Sequence, residues 1–425
     1  MKRLINFLIW ISLIPATLAH AETLAEYPDL PPTQMVTESL AGAPSVLAAQ
    51  AGIKLEQANQ TKLQAGPYEY NLRLGSQRRS IDPGERFHEW DVGIERPLRL
   101  PNKSAIDQKL GKQGVSRAKF ALGDAMHEAA RSLLSLWFVW AKESAQVTQW
   151  QGQVDILKQQ TQIVQKRVRA GDVAKLEIGL AEAAQAQAEN ALQQAKLREQ
   201  LALNDLTQRF PDIKTPQKPV LLTPMPLQQT QEYWREQVLD HNHELGLVRA
   251  EAGYWQLQAQ RAHADKSPDP TVGVRYASER SGAEHIVGVN LSIPLPGQAR
   301  RANAAGATAH VDIAEQKIAE VVRKLNADAA NNYASAAAAY TGWQGAQAVA
   351  ERMQSNAALI SRAYALGEMG LPEVMLARRL AIEANLAATL AQLDAQQTRY
   401  RLLLDAHQLW PLDVEDEDEG EHAHY

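Results

Sequence analysis

The chain has 425 residues, enough for two domains or one repeated unit, and its net charge of −5 at pH 7 gives no sign of a nucleic-acid partner. It contains no cysteine, which excludes disulfides, thiolate metal sites and an N-terminal lipid anchor attached through cysteine. A cysteine-free chain also suits an oxidising compartment, where stray thiols are avoided.

Residues 1–21 have the layout of a secretory signal peptide. Lys2 and Arg3 precede an apolar run over residues 7–14, and Ala19-His20-Ala21 provides a small-residue cleavage pattern. A short membrane anchor is the less favoured alternative, because a spanning helix needs ~20 apolar residues. No later apolar run is long enough to cross a membrane as a helix, so a membrane crossing would have to use strands.

The remaining sequence predicts an internal repeat. Residues 168–177 align with residues 364–373, and the same register continues without a gap to Leu206 and Leu402. Earlier segments also match in the same order, so each copy reads as helix, two strands, long helix and shorter helix. The predicted divisions are a first repeat at 22–210, a Pro-rich connection around the middle of the helices at 211–230, a second repeat at 231–410 and a tail at 411–425.

Two segments predict unusually long helices, at about 103–167 and 299–363. Each would reach roughly 100 Å, which is too long for one ordinary globular core and is typical of coiled-coil packing. Shorter helical segments are predicted at about 38–65, 172–208, 231–265 and 372–408. Two shorter segments placed end to end have nearly the same length as one long helix, which indicates a wall of parallel helices.

Four segments show the two-residue period of strands with one apolar and one polar face. They lie near residues 70–74, 89–94, 271–276 and 287–293, and proline corners follow the second and fourth, at 97–101 and 294–296. Strands of this kind suit a barrel between lipid and water, whereas two soluble hairpins packed on the helices are the alternative. Four strands cannot close a barrel, but three chains would supply twelve.

These features resemble the TolC-like outer-membrane efflux protein family over nearly all of the chain after residue 21. Residues 95–103 and 291–296 are similar to two strand-to-helix corners of its cobalt-zinc-cadmium resistance branch. The resemblance implies a mainly α-helical homotrimer with a small β part: a twelve-stranded transmembrane β-barrel in outer-membrane lipid, continuing into a periplasmic α-barrel. It also implies an adaptor (membrane fusion) protein and an inner-membrane pump of the resistance-nodulation-division type as partners.

The resemblance also implies roles for particular residues. The helical tips that would dock the adaptor carry Arg169, Gly171, Asp172, Tyr364, Gly367 and Glu368, and the periplasmic constriction would carry Glu177 and Glu373. Ordinary helix turns and an acid favoured by the helix dipole are the alternatives. Where relatives often have an arginine at the second tip, this chain has Met369, so any latch salt bridge there must be arranged differently.

The acidic tail ends with His422 and His424, a combination of ligands that suits zinc or nickel weakly, although such tails are usually only solvated. No nucleotide-binding or catalytic motif is present, and we expect neither a cofactor nor an enzyme activity. The sequence therefore predicts a passive outer-membrane exit duct, with divalent heavy-metal cations as the expected cargo. Organic drugs or a secreted protein are alternative cargoes, and a periplasmic coiled-coil protein without a pore is the alternative of another class.

Overall fold

The computed structural model describes residues 27–240 and 242–412. The predicted signal peptide, His422, His424 and nearly all of the predicted acidic tail lie outside these residues. Two successive copies of helix, strand, strand, long helix and helix make up most of the described chain. The elements are α1 (Thr33–Ala41), α2 (Pro44–Ala65), β1 (Asn71–Ile81), β2 (Glu85–Pro97), α3 (Pro101–Ala170), α4 (Leu176–Arg209), α5 (Gln231–Asp240), α6 (His243–Ala264), β3 (Thr271–Glu279), β4 (Glu284–Ser292), α7 (Gln298–Ala365) and α8 (Leu371–Asp405).

The two predicted long helices are confirmed as α3, of 70 residues, and α7, of 68 residues. At 1.5 Å per residue each is about 100 Å long. Two of the shorter predicted helices are wrong as single elements. The first is interrupted at Gly42 and Ala43, and Pro44 then starts α2 with a preset backbone. The second divides into α5 and α6, because the Asn242 side chain caps α6 by accepting from the Leu245 N–H at 2.8 Å.

The shorter helices lie along the long ones. Helix α2 covers the strand-proximal half of α3, where Gly111 allows close contact: a Cβ at this position would lie 2.7 Å from the Gln60 Cγ. Helix α4 covers the other half, where Val154 and Leu157 pack against Leu192. In the second copy, α6 and α8 pack along α7 in the same order. The result is an elongated helical wall.

The largest apolar cluster joins α1 to the middle of α3 and the end of α8. Phe138 of α3 and Leu404 of α8 are buried there. Asp29 connects α3 and α8 through two hydrogen bonds. Its carbonyl accepts from Trp137 Nε1 of α3, and its carboxylate accepts from the Tyr400 hydroxyl of α8, both at 2.8 Å. Burial raises the pKa of both Asp29 and Tyr400. This cluster fixes the two repeats against each other far from the strands.

The four strands form one antiparallel sheet in the order β1-β2-β3-β4. They are longer than the predicted segments, because the first hairpin continues through charged residues that interrupt the apolar alternation. One face is apolar and exposed, and Val287 and Val289 of β4 are 80% and 78% exposed. Strands β1 and β4 are the edges of this sheet.

Among residues 27–240 and 242–412, none of the helices combines the length and the apolar character that a membrane span requires.

Candidate functional site

The two helical tips have the same backbone geometry. Gly171 follows α3 with φ +80°, and Gly367 lies after α7, also with φ +80°. The residues after these glycines also repeat a hydrogen bond: the Asp172 N–H donates to the Arg167 carbonyl at 3.0 Å, and the Glu368 N–H donates to the Ala363 carbonyl at 2.9 Å. Glycine is required here because side chains strain a left-handed backbone.

Several of the predicted tip residues lie open to solvent. Arg169, Gly171 and Asp172 are exposed at the first tip, and Gly367 and Glu368 are exposed at the second. A Cβ built on either glycine would meet nothing within 4 Å. The ends of both helical hairpins, α3–α4 and α7–α8, are therefore exposed surfaces in the single chain.

The two predicted constriction acids differ in their surroundings. Glu373 is exposed and folds back on the start of its own helix, where its Oε2 lies 2.6 Å from the position of a Cβ on Gly370. An acid at the third position of a helix stabilises the unpaired N–H groups there. Glu177, in the first turn of α4, is instead partly buried at the contact between the hairpins.

Glu177 is close to Tyr364 and Arg167, so one of the predicted docking residues meets one of the predicted constriction residues. The Arg167 guanidinium lies over the Tyr364 ring, 4.8 Å from its centroid. Burial raises the pKa of the Tyr364 hydroxyl; the Arg167 charge lowers it, and the Glu177 carboxylate raises it. Within the described residues the Tyr364 hydroxyl and Glu177 Oε2 are both buried, and neither makes a hydrogen bond of standard geometry.

Apolar packing beside these charges joins the tips of the two repeats. Val164 of α3, Ala181 of α4 and Leu371 of α8 are buried in one small cluster. The sequence pattern missed Arg167, which supplies a cation although Met369 replaces the expected arginine. The sequence places Arg167 one turn before Gly171, but its contact with the other repeat depends on tertiary structure.

A second charged cluster lies where the sheet meets the helices. Lys103 is fully buried, and its Nζ lies 3.1 Å from Asp265 Oδ1 and 3.0 Å from Asp269 Oδ1. The Tyr68 hydroxyl donates to Asp269 Oδ2 at 2.9 Å. Although burial acts the other way, the Lys103 and Tyr68 contacts lower the pKa of Asp269. Arg99 donates to the last carbonyls of α2, at Leu63 and Gln64. These contacts hold the strand-to-helix corner in one orientation.

A third charged cluster lies at mid-length. Asp405 is buried at the end of α8 and accepts from Arg131 Nε, Arg401 Nε and Asn332 Nδ2, each at 2.9 Å. It thereby links α3, α7 and α8. In the described part of the chain, His, Cys, Asp and Glu side chains do not assemble in threes in a way that could hold a metal ion.

No protein-family model matches the sequence, and no curated protein sequence matches it. The fold, however, is similar to solved structures of outer-membrane channels. The Campylobacter jejuni CmeC outer membrane channel superposes with a TM-score of 0.74 at 12% identity, over 90% of this chain and 86% of that one. The outer membrane protein VceC from Vibrio cholerae gives 0.71 at 16% identity, over 88% and 95%. The open state of the Neisseria gonorrhoeae MtrE outer membrane channel gives 0.70 at 15% identity, over 90% of each. At these identities the chain shares the fold of these channels.

Proposed function

We propose that this chain is one third of a passive outer-membrane duct of the TolC-like type, which conducts substrates delivered by an inner-membrane pump. The observation that carries the proposal is the sheet. It has an exposed apolar face and two unpaired edges, and it lies at the end of two helices of about 100 Å.

A closed barrel accounts for both features of the sheet. The strands have 9 to 13 residues, which suits the ~10 residues of a tilted strand across a membrane. Unpaired strand edges are costly in lipid, so β1 of one copy must pair with β4 of the next. Three copies supply twelve strands, and outer-membrane lipid covers the apolar face.

The helices would continue the barrel as a tunnel through the periplasm. Their exposed tips, at Gly171 and Gly367, support a docking surface for a periplasmic adaptor, and a pump of the resistance-nodulation-division type would supply the energy. The contact of Glu177 with Tyr364 and Arg167 joins the tips of the two hairpins. We infer that this contact holds the mouth narrow and loosens when the duct opens. Glu373 would contribute negative charge at the same mouth.

The cargo is the finer part of the proposal. Similarity of the two corners to the cobalt-zinc-cadmium branch favours divalent metal cations, and drugs or a secreted protein are the alternatives. The test of the cargo is to compare the growth of a deletion strain with that of its complemented control on zinc, cobalt, nickel, cadmium, copper and several hydrophobic antibiotics. Metal sensitivity reversed by the gene would support the metal cargo, whereas sensitivity to antibiotics alone would remove it.

Membrane fractionation separates the duct from the periplasmic coiled coil without a pore. The duct predicts a protein that sediments with outer membranes and needs detergent for extraction. Release into the periplasmic fraction by osmotic shock would contradict the proposal.

A further inference from the structure

The polar face of the sheet carries arginines and glycines in alternation at one level. In the register of the strands Arg73 lies opposite Gly93, Gly93 opposite Arg275, and Arg275 opposite Gly288. Across the four strands this level therefore reads arginine, glycine, arginine, glycine. Each guanidinium has a neighbour without a side chain, and a Cβ on Gly288 would meet nothing within 4 Å.

Each arginine has an acidic partner, but the partner is less exposed. Arg73 Nη2 lies 3.4 Å from Glu95 Oε1, and the side chains are 69% and 24% exposed. Arg275 Nε lies 3.2 Å from Asp91 Oδ2, and the side chains are 54% and 21% exposed. Positive charge therefore projects from this face while the negative charge stays close to it.

Two further glycines explain why the acids lie close to the sheet. A Cβ on Gly75 would be 2.3 Å from Asp91 Oδ1, so this carboxylate occupies the space that a side chain would fill. A Cβ on Gly273 would be 2.9 Å from the Glu95 Cβ. The glycines let the acids lie flat and leave the arginines to project.

The charges nearer the hairpin ends are mixed. Arg79 lies between Glu89 and Glu279, at 3.0 and 2.8 Å, and Arg280 pairs with Glu284 at 3.1 Å. Acids as well as arginines are partly exposed there. Glu279 and Glu284 lie opposite each other there, whereas the level of Arg73 and Arg275 consists of arginines and glycines.

We propose that Arg73 and Arg275 form an arginine belt inside the barrel, and that this belt shifts the selectivity of the duct towards anions relative to the same duct without it. The proposal rests on the proposed trimeric duct, in which two arginines per chain give six at one level. Rings of arginine select anions in pores, because they attract anions and raise the energy of a passing cation. At this level of the barrel a divalent metal would therefore pass more readily as an anionic complex than as the free hydrated ion.

The test is the reversal potential of the reconstituted full-length protein in a planar bilayer under a potassium chloride gradient. We compare the wild type with the double variant Arg73→Gln/Arg275→Gln. The matched control is Arg78→Gln on β1, whose side chain belongs to the opposite face of the sheet. Arg73→Lys/Arg275→Lys keeps the charges and shows that the level tolerates substitution.

The arginine belt predicts that the glutamine double variant moves the reversal potential towards cation selectivity, whereas the lysine variant and Arg78→Gln stay near the wild type. A reversal potential that is the same in the glutamine variant and the wild type would overturn the belt while leaving the duct intact. A shift of equal size with Arg78→Gln would also overturn it. Folded protein that shows no channel activity either as the wild type or as the Glu177→Gln variant, which loosens the mouth, would refute the proposed duct, and the belt with it.

Discussion

His127 should make the protein sensitive to acid. The imidazole is buried in the middle of α3, and its Nε2 lies 3.2 Å from the Leu404 carbonyl. Burial lowers the pKa of His127 to about 3; the charges of Arg131 and His407 also lower it, and Asp405 opposes the shift. The ring is therefore neutral in the folded protein at any pH well above 3.

The direction in which stability changes with pH follows from the difference between the pKa values of the folded and unfolded states. In the unfolded chain the histidine has its ordinary pKa of about 6.5, so the unfolded state binds a proton first as the pH falls. Stability is therefore lost as the pH falls from about 6.5 towards 3. Since one pKa unit corresponds to 1.36 kcal/mol, the loss from this residue is about 2 kcal/mol between pH 7 and pH 5.

The assay is guanidinium unfolding of the detergent-solubilised protein at pH 7 and pH 5, followed by tryptophan fluorescence. His127→Gln is the matched variant, because glutamine can donate to the same carbonyl but does not titrate. We expect the wild type to lose about 2 kcal/mol more than His127→Gln between the two pH values. Equal losses would refute the reasoning, since the other histidines are common to both proteins.

Three other substitutions test separate parts of the structure. Asp405→Asn should destabilise the protein by about 2–3 kcal/mol by thermal or chemical unfolding, because it removes the charge from a buried acceptor of hydrogen bonds from two partly buried arginines. Asp394→Asn, at a partly exposed ion pair, should cost about 0–1 kcal/mol. Gly367→Ala should cost about 1–2 kcal/mol, because alanine is strained at φ +80° although it has space; an unchanged midpoint would contradict the left-handed turn. Glu177→Gln should raise single-channel conductance by loosening the hairpin contact, whereas Glu182→Gln, an exposed residue of the same helix, should not.

Much of the fold could be predicted from the sequence because short local sequence signals mark the turns and corners of each repeat. Gly171 and Gly367 are needed at the same turn, and proline corners separate strands from helices. The mainly helical architecture with four strands is confirmed. The repeat boundaries, the adaptor-docking residues and the cobalt-zinc-cadmium branch stay predictions.

The rest depended on contacts between distant segments. The burial of Lys103 arises because Asp265 and Asp269, at the end of α6 and before β3, fold onto the start of α3. Arg167 meets Tyr364 only because the tips of the two repeats pack together. The capping residue Asn242, by contrast, was visible in the sequence, and the break before α6 could have been predicted from it.

The central claim is that three copies close one barrel through their edge strands, and cysteine cross-linking tests it most directly. The chain has no cysteine, so Leu72→Cys on β1 can be combined with one cysteine at each β4 position from 287 to 291 in turn. Oxidation in outer membranes should give, for the pair that lies opposite across the interface, a largest product of three chains and nothing beyond. Monomers at every position, or a ladder that continues past three chains, would contradict the closed trimer.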